Sequence, residues 1–243
     1  MSENQVVHEA FTELAPRYES VVDGELKTFW GWSYQGFVDQ LIERTAIQKN
    51  QKVLDIATGT SVIPRKILQQ KIPDLHITGL DITEAMLQQG RKTFPEGVFR
   101  TAVSLTCGDA MKLPFADDSY DVIVSGLASH HMNIPIMLSE MRRVLKPQGT
   151  LSIIDVGTSP FWELPIIRGF TRIFAFTYFL WKESLTRAWA EAAAVTNLRT
   201  PEGWLADLQA AGFDSISLTK LSSKYRWAPE PLSILSTFQG EEK

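Results

Sequence analysis

Two carboxylates, one tight turn and a pair of histidines carry most of the chemistry this chain can do. The turn is Asp55-Ile56-Ala57-Thr58-Gly59-Thr60-Ser61, which follows the apolar run Lys52-Val53-Leu54 and leads into a helix-like segment, Val62 to Gln70. The second acid, Asp81, closes the next apolar run, His76-Ile77-Thr78-Gly79-Leu80. Strand, small-residue turn, helix, strand, acid is the opening unit of a nucleotide-binding doubly wound sheet. A pyrophosphate loop of that kind needs G-x-G-x-x-G, so that the backbone can approach the phosphates. Aligned on Gly59, glycine is wanted at 57 and 62, where the chain has Ala57 and Val62. A nucleoside without phosphates asks less of the turn. His130 and His131 come just after a fourth apolar run, where an open α/β sheet places its ligand crevice. An imidazole there can take a proton from a nucleophile near neutral pH. Spacing does not choose between the two, and a capping or loop role is the bland alternative for either.

The elements that must hold these groups are legible as patterns. Residues 1–48 read as N-terminal helices, with Phe37, Leu41 and Ile42 at helical spacing. Thr83 is placed to cap a helix running to Arg91. Tyr120 to Ser125 is a continuous apolar run, as expected for a parallel strand covered on both faces. Asn133 and Pro135 open a helix whose apolar face is Met137, Leu138, Met141, Val144 and Leu145, and Pro147 with Gly149 stops it. Leu151 to Val156 reads as the fifth strand. Thr200-Pro201 opens a further helix with Trp204, Leu205 and Leu208 inward and Gly212 as its stop.

Bulk properties narrow the class. A chain of 243 residues, 44% hydrophobic and 21% charged, can bury a full core as a single domain over 1–243. A formal net charge of −4 gives no electrostatic footprint for nucleic acid. The one cysteine, Cys107, excludes an internal disulfide, fits a reducing cytoplasm and reads as a small buried hydrophobe at a strand end. The N-terminus lacks the basic and apolar blocks of a signal peptide, so a cytoplasmic location is expected.

The turn and its companions resemble the class I methyltransferases that use S-adenosylmethionine (SAM). Their first motif runs acid, any residue, Gly or Ala, any residue, Gly, Thr or Ser, Gly. Asp55, Ala57, Gly59 and Thr60 match, and Ser61 stands where the last glycine belongs. A serine fits there only at negative φ or with its strain absorbed. Cys107-Gly108-Asp109-Ala110 with Leu113-Pro114-Phe115, Asp118 to Ser125, and Glu140 to Gly149 continue the resemblance in order. The subgroup it points to is the ubiquinone/menaquinone C-methyltransferases, which Ala15-Pro16-Arg17-Tyr18 also resembles. The resemblance implies a seven-stranded, mostly parallel doubly wound α/β sheet, ending in an antiparallel hairpin from Ser215–Leu218 and Leu232–Phe238. It implies that Asp81 holds the ribose hydroxyls, Asp109 the adenine amino group and the Gly59 loop the amino-acid end of SAM. The full implied cofactor set is Tyr18, Asp55, Ala57, Thr58, Gly59, Asp81, Ile82, Met86, Gly108, Asp109, Ala110 and Ser125, with His130 or His131 catalytic and no metal. For Asp55, holding the loop is the alternative to direct contact.

Residues 157–199 read as an insertion after the fifth strand, unusually rich in aromatic residues from Phe161 to Trp181. Arg168 and Arg172 interrupt it, so it is not a membrane span. A core helix pair covering the sheet, a dimer contact and contact with a membrane surface are all open for it, and acceptor contact as a lid is compatible with each. As a lid it implies a small hydrophobic or aromatic acceptor, with Arg168 or Arg172 free to meet a polar end. Two other readings stay open: a SAM-binding protein that does not methylate, and a nicotinamide-dependent oxidoreductase, against which the missing glycines weigh.

Overall fold

The computed structural model describes residues 3–95, 97–98, 102–225 and 230–238. Met1, Ser2 and residues 239–243, which the sequence reading counts in the single domain, lie outside the described residues. Seven strands form one sheet in the order β3-β2-β1-β4-β5-β7-β6. They are β1 (Lys52–Ile56), β2 (His76–Asp81), β3 (Val103–Cys107), β4 (Tyr120–Gly126), β5 (Leu145–Val156), β6 (Ile216–Lys220) and β7 (Pro231–Thr237). The first five are parallel, while β7 runs antiparallel to β5 and carries β6 as an antiparallel edge.

Successive strand residues feed two separate cores, as a period of two requires. Val53, Val122, Val124 and Ile154 pack into one; Leu54, Ile123 and Ile153 pack into the other. The first core is covered by α2 (Tyr18–Phe29), α3 (Tyr34–Thr45) and α4 (Val62–Gln69), with Met86 of α5 (Glu84–Arg91) joining them. The second is covered by α6 (Ile134–Val144) and, past the insertion, by α10 (Pro201–Ala210). Asn133 caps α6 by accepting from the Ile136 N–H, as expected.

Four local readings need correction. Thr83 precedes α5, but its side chain makes no capping bond; the Thr83 N–H donates to Asp81 instead, at 2.8 Å. The fifth strand begins at Leu145, because Tyr120 pairs Leu145 and Val122 pairs Thr150 across a bulge that absorbs Pro147 and Gly149. Leu205 points outward, leaving Trp204 and Leu208 to fill the core. Cys107 is exposed at the end of β3, its thiol 3.5 Å from the Ile82 carbonyl.

Helix α1 (Glu3–Leu14) and the insertion close over the carboxyl ends of the strands. The insertion holds α7 (Pro160–Glu163), α8 (Pro165–Lys182) and α9 (Leu185–Ala194). Thr186 of α9 donates to Glu13 of α1 at 2.8 Å, and Trp32 donates to the Ser222 carbonyl at 2.7 Å.

Candidate active site

The strand order reverses between β1 and β4, and there the chain builds its crevice. The turn after β1 is wound by three left-handed residues at alternate positions: Ala57 at φ 55°, Gly59 at 54° and Ser61 at 64°. Ser61 therefore takes the strained conformation, at a cost of about 1–2 kcal/mol that glycine would avoid. It is fully buried and its hydroxyl has no partner among the described residues. Gly90 of α5 makes the room, since a Cβ there would lie 2.6 Å from the Ser61 hydroxyl.

Two buried acids brace this turn. Asp81 accepts from the Gly59 N–H and the Thr83 N–H, both at 2.8 Å. Burial pushes its carboxyl up to about 6, against the pull of those two bonds. Asp55 accepts the Thr58 hydroxyl at 2.6 Å, while its other oxygen is buried with no partner among the described residues. Burial raises it to about 8, with the neighbouring Asp81 adding to the shift. Asp55 thus holds the loop from beneath and does not line the crevice. Thr58 and Ser125 are likewise buried under it, Ser125 donating to the Ile56 carbonyl at 3.0 Å.

The other residues of the sequence-derived set come together. Ala57, Asp81 and Ile82 line two adjoining crevices of about 60 Å³ each. Gly108, Asp109 and Ala110 complete one; Tyr18, Gly59 and Met86 complete the other. Asp109 also accepts the Met111 N–H at 2.8 Å. Tyr18 is hydrogen-bonded to Tyr34, and burial raises its phenol to about 12. A cleft lined by Asp81 and Asp109, with Ala57 and Gly59 leaving room at the turn, suits a nucleoside, and among the described residues it is lined by no Lys or Arg that would meet phosphates.

Next to these crevices lies a larger, mainly apolar cavity of about 230 Å³ under the insertion. Phe11, Phe29, Trp30, Phe174, Tyr178 and Phe179 supply aromatic walls. Its acids, histidines and cation, among the described residues, are Glu25, Glu191, His130, His131 and Arg187. The cation here is Arg187 of α9, in place of Arg168 or Arg172. Arg187 is 5% exposed, lies 3.3 Å from Glu25 and 3.0 Å from Glu191, and stands over the rings of Phe11 and Phe179. Burial drives Glu25 up to about 7 despite Arg187, whereas Glu191 is held low by Arg187 and His131 against its own burial.

The two histidines have different surroundings. His130 Nδ1 is 2.7 Å from Asp155 of β5, which outweighs burial and raises the imidazole. His131 Nε2 is 3.5 Å from Glu191, and its Nδ1 has no partner among the described residues. Burial, followed by the neighbouring His130, lowers it. His131 also lines the apolar cavity and both crevices, the only side chain among the described residues common to all three linings.

Sequence reasoning missed Asp155, Arg187, Glu191 and Glu25. An acid inside the apolar strand Leu151-Ser152-Ile153-Ile154-Asp155 was a usable signal, since such a group is buried only with a partner. So was the i, i+4 pair Arg187 and Glu191 on an alanine-rich helix. Glu25 carried no signal.

Comparison with known proteins agrees with this geometry. Residues 53–149 match the methyltransferase domain family. The chain is 30% identical to a demethylmenaquinone methyltransferase of Listeria monocytogenes, over 84% of this chain and 89% of that one. It is 33% identical to the ubiquinone/menaquinone biosynthesis C-methyltransferase UbiE of Paracoccus denitrificans, over 64% and 60%. Among solved structures, the [4+2]-cyclase SpnF superposes with a TM-score of 0.71 at 17% identity, over 97% of this chain and 96% of that one. A SAM-dependent methyltransferase from Aquifex aeolicus gives 0.60 at 14%, over 92% and 98%. Fold and crevice define a class I SAM-dependent methyltransferase. Within that class the chain belongs to the ubiquinone/menaquinone C-methyltransferase family.

Proposed function

We propose that the chain methylates a hydroxylated aromatic or quinol-like ring held in the apolar cavity, with His131 as the base and residues 157–199 as the lid. The observation that carries this reading is the position of His131 on the boundary between the apolar cavity and the nucleoside crevices. SAM supplies an electrophilic methyl group. Asp81 and Asp109 are placed to hold its nucleoside, and the Gly59 turn its amino-acid end. The aromatic walls orient the ring and keep water out, so that alignment does much of the work. The Glu191 carboxylate beside Nε2 favours the tautomer with its proton on that atom, leaving the Nδ1 lone pair free. That nitrogen accepts the proton the acceptor loses, and burial keeps it neutral for the task. His130, tied to Asp155, supports its neighbour. The relatives' names mention demethylmenaquinone and ubiquinone, which makes a quinol the first acceptor to assay. A cytoplasmic setting belongs to the same proposal, and the free thiol of Cys107 suits it.

Turnover of demethylmenaquinol and simpler naphthols with labelled SAM tests the proposal. His131→Ala should lower kcat by about 10²-fold or more, with S-adenosylhomocysteine affinity changed only a few-fold. Because His131 is held below its ordinary value, the acid limb of the wild-type rate profile should lie below pH 6.5. Glu191→Gln should move that limb lower still, since Glu191 is what raises the imidazole. Wild-type turnover in His131→Ala would remove the base from the scheme.

A further inference from the structure

Helix α8 is apolar on two opposite faces, and among the described residues only one of them is covered. Thr171, Ala175, Tyr178 and Phe179 face inward and line the aromatic cavity. The other stripe, Ile166, Phe170, Ile173, Phe174, Leu180 and Trp181, recurs at helical spacing and is between 46% and 82% exposed. Phe161 before it and Trp189 after it, both more than half exposed, widen the patch. A contiguous exposed patch of this size marks an interaction surface.

We infer that this outer face docks on an anionic lipid surface. Charge selects that occupant. The 18 residues of α8 contain no acid, and while Arg168 turns inward to a small pocket with Thr171 and Glu163, Arg172 and Lys182 are exposed, on a chain whose net charge is −4. Glu183, next along the chain, is already taken by Arg17 at 2.6 Å. A second copy docked by a two-fold axis would set these cations against themselves, whereas anionic headgroups would meet them while the rings enter the acyl boundary. Trp181 with the Lys182 ammonium 5.8 Å over its ring is a pairing of apolar body and charged tip suited to that boundary. The helix cannot go deeper, since no described helix is long and apolar enough to cross a membrane.

The docking face continues into the cavity. Phe174 belongs to the exposed stripe and also lines the cavity wall. A greasy acceptor could therefore pass from lipid to the site along one helix. This step rests on the acceptor reading above; the docking does not.

The full chain should sediment with vesicles of equal parts phosphatidylglycerol and phosphatidylcholine, with a blue shift of tryptophan emission and release by salt. It should bind pure phosphatidylcholine vesicles far less. Arg172→Gln and Lys182→Gln should each weaken partition about fivefold. The triple change Ile166→Ser, Phe170→Ser, Ile173→Ser should weaken it at least about tenfold. All variants should keep S-adenosylhomocysteine binding, which shows that they fold. The proposal is overturned if a wild-type chain that binds S-adenosylhomocysteine ignores the anionic vesicles, or if the triple variant sediments like wild type. It is also overturned if that variant instead dissolves a dimer seen without lipid, which would give the face to a second copy. A wild-type chain that binds vesicles but not S-adenosylhomocysteine would undo the functional reading and leave the docking standing.

Discussion

The nucleoside crevice and the aromatic cavity are built by different means. The turn that floors the crevice is braced by backbone and near neighbours, Asp55 reaching Thr58 and Gly59 reaching Asp81, 22 residues on, although Tyr18 and His131 come from farther off to wall it. The cavity is made of side chains from distant segments, with Glu25 meeting Arg187 across 162 residues. A turn wound by positive φ is exacting in its backbone, since a side chain larger than those present would be strained there. A charged cluster in an apolar chamber is exacting in a different way, because each member is stable only while the others are present.

The largest expected effect tests the second half of that contrast. Arg187→Met removes the cation shared by Glu25 and Glu191 and should destabilise the fold by about 3–5 kcal/mol in urea denaturation. Adding Glu25→Gln and Glu191→Gln should restore most of it. A small loss in the single variant would show that the cavity tolerates uncompensated charge and that the contrast is false.

The crevice should respond to pH instead. Asp55 is raised to about 8 in the folded chain against 3.8 for the free side chain. The folded state thus binds the extra proton, so this group's contribution is lost as pH rises from about 4 to 8 and is flat above. Asp55→Asn should therefore gain stability relative to wild type across that window, by something on the order of 1–3 kcal/mol. Glu191 and Asp155, held low, act with the opposite sign and lose their contribution as pH falls. Urea midpoints at pH 4, 6 and 8 separate the two behaviours; a constant difference between Asp55→Asn and wild type would contradict the assignment.

Smaller effects sharpen the picture. Ser61→Gly should stabilise the chain by about 1 kcal/mol, since it relieves a left-handed serine and a buried hydroxyl without a partner. Thermal unfolding with and without S-adenosylhomocysteine reads this directly. Phe174→Ala removes a ring that is 58% exposed and so contributes less than the ~1.5–3 kcal/mol of a buried one. Its signature should be a few-fold rise in acceptor KM with cofactor affinity and folding unchanged.

The same contrast explains what the sequence disclosed. The places of Gly59, Asp81 and Asp109 around the crevice were legible because they are set relative to strands, and strands announce themselves as apolar runs, whereas Asp55 of the same motif braces the turn from beneath. The period of two that divides Val53 from Leu54 between the cores was equally visible. Glu25, Arg187 and Glu191 were not, since nothing local to a helix surface says which distant carboxylate or ring will meet it. Cys107 and Leu205 misled for a related reason: a side chain at an element's end or margin follows its neighbours more than its own hydropathy.

The long reach between Glu25 and Arg187 has a consequence for how the chain is made. Helix α2 leaves the ribosome well before its partner on α9, and at about 5–20 residues per second the interval is roughly 8–30 s. The turn after β1 and its acid on β2 are complete early in that time. Phe11, Glu25 and Phe29 must wait with their apolar surroundings uncovered until α8 and α9 emerge. The nucleoside half of the enzyme can thus be assembled during synthesis, while the chamber closes only after the insertion has been made, and the waiting N-terminal helices are the stretch a nascent-chain chaperone would find.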